Sequence, residues 1–497
     1  MTLRQLLPAT LGRDAIASFV VFLVAMPLCM GIAVASGVPP EKGLVTGIIG
    51  GIVVGALAGS PLQVSGPAAG LAVIVFELVR DKGLSALGPI LLVAGALQLL
   101  AGVFRVGGWF RAISPAVVHG MLAGIGVLIV VGQFHVLFDA KPLPSGPENL
   151  AAMPGRLLGL SASSFAAAEM AFAVGLVTIA AMLGWERLRP AKLRLVPGAL
   201  VGVVAGTAVA ATLGLEVARV QVPASIGAAI ALPDSGMLAR LVDPSILASA
   251  FAIAFIASAE TLLSAAAVDR MHGGVRTDYN KELRAQGVGN MLCGVAGALP
   301  MTGVIVRSSA NVQAGAATRA SAMLHGVWIL GFVALLPWLL ETMPMAALAA
   351  ILVVTGWRLV SLAHVRHLFH GYGLMPVAIW AVTLGTVVMT DLLTGVLAGI
   401  ALSLVELLPH ARGLGLKVHR QEGAIALEGT ATCLTLPRLT TAIEAVPPGT
   451  PVRLDLSRLH GVDHTAAEML REWLGRRRAG GAPVEVTGAG PRLPALA

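Results

Sequence analysis

The chain is 497 residues long, 56% hydrophobic and only 12% charged, with a mean hydropathy of +0.85. Soluble domains carry about 25% charged residues, so a wholly water-soluble fold is excluded. The net charge of +8 sits in particular loops rather than along one face, and no nucleic-acid partner is expected.

In chain order, apolar runs recur at 15–35, 43–59, 90–104, 117–137, 166–185, 196–213, 246–268, 323–340, 345–357 and 374–408. A helix needs about 20 such residues to cross the hydrocarbon of a lipid bilayer. The runs are continuous, whereas a β-barrel needs alternating stretches of about ten residues. The fold class predicted is an all-α polytopic membrane protein. Ala33-Val34-Ala35 imitates a leader cleavage site, but Pro27 lies mid-segment and the run is too long for a leader, so it reads as a span.

Basic residues cluster at Arg105 and Arg111, at Arg187 to Arg194, at Arg270 to Arg284, and at Arg319, Arg358, Arg366, Arg412 and Lys417. The loops 139–164 and 216–243 are poorer in them. This asymmetry puts the basic loops and both termini in the cytoplasm, with an even number of spans. Cys29, Cys293 and Cys433 are too far apart to suggest a metal site or a disulfide framework, and no cofactor is expected.

After about Pro409 charges become frequent. A hairpin is predicted at 418–422 and 424–428, a helix at 436–446, a strand at "VRLDLS" (452–457), a helix at 463–481 and a strand at 483–488. Alternating strands and helices imply a small α/β domain. The chain thus divides into a transmembrane domain, 1–410, and a soluble cytoplasmic domain, 411–497.

Two polar, helix-breaking stretches interrupt the apolar part: "GSPLQVSGPAAG" (59–70) and "GALPMTGVIVRSSANVQAGA" (297–316). Each opens a short apolar helix. Paired breaks in corresponding halves point to a transporter site built from discontinuous helices. Irregular backbone at membrane depth is tolerated only where it is buried in protein or lines a cavity. Half-helix N-termini carry partial positive charge and free N–H groups, which suit an anion. The backbone N–H groups of Val64, Ser65, Gly66, Ile305 and Val306 are therefore candidate substrate contacts. Gln63, Ser65 and Thr302 either hydrogen-bond the anion or cap the half-helices, and capping is the favoured role for Ser65 and Thr302. Arg307 either attracts the anion or forms an ion pair with Glu260; burying it costs at least ~2.5 kcal/mol. Glu260 and Ser264, one turn apart on one helix face, are coupling-ion candidates. Burial favours the protonated acid, which suits proton coupling; alternatively Glu260, Ser264 and carbonyls near Thr302 hold Na⁺. His119, Gln133, Met26, Met30 and Phe104 read as packing residues. Asp391 and Thr394 read as a cap between the last two spans.

The motif set is more specific. "PLCMGIAVASGVPPEKGL" (27–44), "GSPLQVSGPAAG", "SPAVVHGMLAGIG" (114–126), "ASAETLLSAAAVDR" (257–270) with "DYNKELRAQGVGN" (278–290), and "LPMTGVIVRSSANVQAGA" resemble, in order, motifs of the SulP family of anion permeases. The C-terminal domain resembles that family's STAS domain. The resemblance implies fourteen spans in two inverted repeats of seven, a core domain moving against a gate domain, an anion between the third and tenth helices, and a homodimer. It also implies an acid and a hydroxyl at the positions of Glu260 and Ser264 in sodium-coupled members. Leu28, Ile32 and Val306 stand where many members have Gln, an aromatic residue and Ser, which implies a less polar pocket with room for a short dicarboxylate. Asp463-His464-Thr465 occupies the loop that carries a phosphorylatable Ser in related antagonists; a helix cap by Asp463 explains it equally.

The function expected is secondary active transport of a small anion (dicarboxylate, bicarbonate or sulfate) in the bacterial inner membrane, by proton symport and an elevator-like motion. Anion exchange, an uncoupled channel, sodium coupling and a membrane-anchored sensor are the alternatives. A nucleobase carrier has similar architecture, but Arg307 argues for an anion. No enzyme is expected: there is no HExxH, no serine–histidine pairing and no pair of facing aspartates.

Overall fold

A computed structural model describes residues 10–110, 114–158, 165–221, 227, 230, 240–241, 243–406, 415–421, 423–447, 450–479, 481 and 483–488. The chain forms two compact units, residues 1–107 with 125–360, and residues 108–124 with 361–497.

The first unit is helical. It contains α1 (Leu11–Ala35), α2 (Pro40–Leu57), the strand β1 (Ser65–Pro67), α3 (Ala69–Lys82) and α4 (Leu87–Val103). The later part of α5 (Pro115–Val136), α6 (Gly146–Leu157), α7 (Phe165–Leu188) and α8 (Gly198–Thr212) follow. Then come α9 (Pro244–Met271), α10 (Tyr279–Ala296), the strand β2 (Met301–Gly303), α11 (Ile305–Gln313), α12 (Ala320–Leu335) and α13 (Met345–Leu359). Among the described residues, seven helices are long and apolar enough to cross a membrane, with four shorter apolar helices beside them. Every apolar run of the sequence falls on a helix. The 374–408 run is split where Asp391 Oδ1 accepts from Thr394 N at 2.9 Å, the cap expected there.

Small residues set the closest packing. α4 and α10 lie antiparallel with backbones in contact. A Cβ added at Gly287 would come within 2.5 Å of Leu99 N, and one at Gly95 within 2.5 Å of Gly287 O. Seven residues further along each helix, a Cβ at Gly294 would meet Gly88 O and one at Gly102 would meet Asn280 O. Lipid tails are as apolar as leucine, so helices in a bilayer associate through such close approach and through polar contacts. α2 contains a π-helical stretch at Gly50–Val54, and there Gly51 abuts the backbone of Gly326 on α12.

The second unit contains the start of α5, α14 (Leu362–Tyr372), α15 (Leu374–Met389), α16 (Leu392–Val405) and an α/β domain. Gly120 and Gly124 of α5 pack on Trp380, Thr383 and Val387 of α15, and Gly399 of α16 packs on Thr383. The α/β domain has one four-stranded sheet in the order β3 (Leu416–Gln421), β4 (Ala424–Ala431), β5 (Val452–Val462), β6 (Val484–Thr487). β3 and β4 are antiparallel; β4–β5 and β5–β6 are parallel. The helices α17 (Leu436–Glu444) and α18 (His464–Ala479) cover it. Leu427, Leu454, Leu456, Leu439, Leu470 and Trp473 fill its core. Each predicted element is present, though β5 runs five residues past the predicted strand. The domain boundary expected at 410–411 lies outside the described residues.

Replacing Gly287 with Val inserts atoms into a backbone–backbone contact that has no room for them. The cost expected is about 1–3 kcal/mol, read as a lowered thermal midpoint of the purified protein; an unchanged midpoint would show that this contact does not limit stability.

Candidate functional site

The two polar breaks meet in the first unit. β1 and β2 pair antiparallel, with Ser65 opposite Gly303, Gly66 opposite Thr302 and Pro67 opposite Met301. Val304 N donates to Val64 O at 2.9 Å, extending the pair. Each strand runs directly into a short helix, β1 into α3 and β2 into α11. Because the strands are antiparallel, the helices leave in opposite directions and both N-termini lie at the crossing. α3 has 14 residues and α11 has nine, about 21 and 14 Å at 1.5 Å per residue. Neither can cross a hydrocarbon core of about 30 Å.

The helix starts are displaced from the sequence expectation. α3 is capped by Ala68 and α11 by Val304, neither with a side-chain cap bond. Ser65 and Thr302 are therefore not caps. Their strand pairing places them two or three residues short of the caps. The Ser65 hydroxyl instead accepts from Gln286 Nε2 at 2.6 Å. Val64 N donates to Ser308 Oγ at 2.9 Å, and Gln63 Nε2 donates to Thr261 O at 3.0 Å. In α11 the first intrahelical bond is Ser308 N to Val304 O, so the N–H groups of Ile305, Val306 and Arg307 have no partner within the helix. Ile305 and Val306 are exposed. On the α3 side the corresponding donors belong to Ala69 and Gly70, not to Val64, Ser65 and Gly66.

Arg307 is fully buried. None of its three side-chain nitrogens has a hydrogen-bond partner among the described residues. The guanidinium lies against β1, where a Cβ on Gly66 would overlap Nη1. Cys29 and His325 are its titratable neighbours. No ion pair with Glu260 is formed among the described residues, so that alternative is set aside. Glu260 instead stands over the start of α3, where a Cβ on Gly70 would lie 2.7 Å from Oε2. Among the described residues this Oε2 is buried without a partner, as are Thr302 Oγ1 and Gln63 Oε1. Ser264 is buried one turn along α9. The residue after Glu260 joins α9 to both breaks: Thr261 O takes the Gln63 amide and Thr261 Oγ1 accepts from Gly303 N at 3.2 Å.

The sequence matches the sulfate permease family over residues 11–383 and a STAS domain over 414–497. The chain belongs to the sulfate permease family. It is 30% identical over 413 residues to YvdB of Bacillus subtilis, provisionally named as a sulfate transporter, covering 82% of this chain and 76% of that one. It is 24% identical over 367 residues to the bicarbonate transporter BicA of Picosynechococcus, covering 69% and 61%. The fold is similar to the transmembrane domain of a cyanobacterial BicA, with a TM-score of 0.67, 22% identity and coverage of 79% and 98%. It is also similar to SLC26A9, with a TM-score of 0.70, 15% identity and coverage of 97% and 85%. The family is one of transporters rather than enzymes, and the chain is a multi-pass membrane protein with a STAS domain.

In this permease the crossing is held by residues to which the sequence alone assigns no role. Glu282, Gln286 and Asn290 lie at i, i+4 and i+8 of α10 and are all fully buried. Glu282 Oε2 accepts from Gly59 N at 2.8 Å and Ser60 N at 2.9 Å. Asn290 Oδ1 accepts from Met301 N at 2.8 Å and its Nδ2 donates to Gln98 Oε1 at 2.7 Å. Asn311 Nδ2 donates to Leu62 O at 3.0 Å. The available signal was the period-four spacing of polar residues in a helix that has to be buried on that face. A cavity of about 230 Å³ opens beside the crossing, lined by Leu28, Met182, Glu186, Val306, Ser309 and Arg358 among others. Leu28 and Val306, the apolar departures, face it. Phe104, expected to pack in a core, is exposed. The packing role of His119 fits its ring stacking on His364 at 3.5 Å.

One further expectation is corrected. A serine–histidine pair does exist: Ser114 Oγ lies 2.8 Å from His464 Nε2, 350 positions away in sequence. Ser114 is buried. Thr465 is buried too, and Asp463 Oδ1 accepts from Ala466 N at 2.7 Å, so the cap reading of that loop holds.

Gly66→Ala places a methyl group where Arg307 Nη1 lies. It is expected to abolish anion uptake in proteoliposomes, while Gly331→Ala, with open space around it, leaves uptake intact. Equal uptake by both variants would dissociate the guanidinium position from transport.

Proposed function

We propose that this permease is a secondary active transporter that binds a small anion of the sulfate, bicarbonate or dicarboxylate class between the N-termini of α3 and α11. The observation that carries the reading is Arg307, a buried cation at the junction of two half-helix ends without a hydrogen-bonded counter-ion among the described residues. A buried charge is costly unless compensated, and an incoming anion supplies the compensation. Membership of the sulfate permease family and relatives named for sulfate and bicarbonate support the same class of cargo. The candidate contacts are the N–H groups at Ile305 and Val306 and, on the α3 side, at Ala69 and Gly70 in place of Val64, Ser65 and Gly66, with Gln63 beside the crossing and Arg307 behind it.

Coupling is assigned to protons. Glu260 carries a buried carboxyl oxygen without a partner, next to the N-terminus of α3. When ionised it competes with the substrate for the same positive helix end; when protonated it leaves that end to the anion. Proton and anion then travel together. Sodium is the second reading, favoured by the unpartnered oxygens of Glu260, Thr302 and Gln63, with Ser264 completing the set. The wider organisation follows the family: fourteen spans in two inverted repeats of seven, core and gate domains in an elevator-like motion, and a homodimer. Residues 1–410 form the transmembrane domain and 411–497 the cytoplasmic STAS domain, with both termini on the cytoplasmic side of a bacterial inner membrane.

The test is uptake of labelled sulfate, bicarbonate, fumarate and succinate into proteoliposomes under imposed proton or sodium gradients. Uptake of at least one anion, accelerated by an inward proton gradient, is expected. Arg307→Gln should lower kcat/KM by about tenfold or more, as expected for loss of one partner of a buried charge contact. Glu260→Gln should flatten the pH dependence. Stimulation by sodium alone would transfer the coupling role to that ion, and transport by Arg307→Gln at the wild-type rate would remove the central claim.

A further inference from the structure

The second unit contains a polar relay that the anion site does not use. His464 is the first residue of α18, and its side chain is 3% exposed. Its Nδ1 lies 3.0 and 2.8 Å from Glu406 Oε1 and Oε2, just past the end of α16. Its Nε2 lies 2.8 Å from Ser114 Oγ, immediately before α5. One imidazole thus joins the start of one apolar helix to the end of another. Asp463 fixes the ring's backbone by capping α18 and by accepting from Cys433 N at 2.6 Å.

The contact repeats along the same face of α18 at i+4 and i+7. Glu468 accepts from the Tyr372 hydroxyl and lies 3.4 Å from His367 Nε2, both on α14. Arg471 Nη1 donates to the Tyr372 hydroxyl at 3.2 Å and covers its ring at 5.2 Å. The charged and titratable groups around His464 are therefore Glu406 from α16, Tyr372 from α14, Cys433 and Asp463 from the α/β domain, and Glu468 on its own helix; α5 contributes the Ser114 hydroxyl.

We infer that His464 is a positioning residue for transport: through Ser114 and Glu406 it ties the STAS domain to the ends of α5 and α16 and sets how firmly those two helices are held together. A serine hydroxyl suits this, because it accepts from a cationic imidazole and donates to a neutral one. The relay therefore persists in both charge states, with Nδ1 donating to the Glu406 carboxylate in each. This inference rests on the transport reading for its consequence, but not for the strut itself.

The test uses the full chain in nanodiscs and in proteoliposomes. Hydrogen–deuterium exchange at 392–405 and 464–479 is compared at one pH for wild type, His464→Gln, Glu406→Gln and Ser114→Ala. Glu485→Gln, which breaks an exposed pair with Arg453 elsewhere in the domain, is the control. His464→Gln, Glu406→Gln and Ser114→Ala should each exchange several-fold faster than wild type in these segments, and the control should match wild type. Labelled sulfate and bicarbonate uptake should lose kcat with KM unchanged in the same three variants and not in the control. Wild-type exchange in His464→Gln overturns the strut. Altered exchange with an unaltered uptake profile overturns its role in transport. A wild type that moves no anion, with the exchange pattern as described, rejects the transport reading while leaving the strut standing.

Discussion

A guanidinium buried in the protein is the constraint around which the first unit is arranged. Arg307 has no hydrogen-bonded counter-charge among the described residues, and the cost of removing it from water is several kcal/mol. The surrounding structure makes that position possible. Gly66 leaves the space for Nη1, and the β1–β2 pair keeps the adjoining backbone hydrogen-bonded although it is not helical. The positive ends of α3 and α11 converge on the same place and add to the field. A buried guanidinium beside two helix N-termini makes a locally positive field.

Such a site needs a rigid frame, and the frame is polar. Irregular backbone in an apolar environment has to satisfy its N–H and C=O groups within the protein. Here α10 supplies that satisfaction from one face. Glu282 holds the loop before β1, Gln286 reaches Ser65, and Asn290 pairs both polar groups of Met301 in β2. Thr261 and Asn311 secure the rest of the crossing. α10 can reach so far because it lies backbone-to-backbone on α4 along glycines spaced seven apart. Small residues give the proximity, and amides and carboxylates use it.

The second unit applies the same economy to a different task. Side chains four and three residues apart on α18 share one face, and that face meets the ends of α5, α14 and α16 through His464, Glu468 and Arg471. At the crossing of the breaks the Arg307 guanidinium lacks a hydrogen-bonded partner among the described residues, whereas this interface pairs its charged side chains.

The sequence by itself determined the membrane class, the positions of the apolar helices, the two breaks and the α/β tail. Each of these follows from local properties: hydropathy, helix-breaking residues and strand–helix periodicity act within a few turns of chain. It also marked Arg307 and Glu260, because a charge in an apolar run stands out. The tertiary structure alone decided that the breaks pair as strands, so that the helix N-termini begin at Ala69 and Ile305 and Ser65 and Thr302 are not caps. It alone separated Arg307 from Glu260, gave Glu282, Gln286 and Asn290 their work, and joined Ser114 to His464. These are contacts between residues hundreds of positions apart, and hydropathy or propensity carries no information about which distant group a buried polar atom will meet.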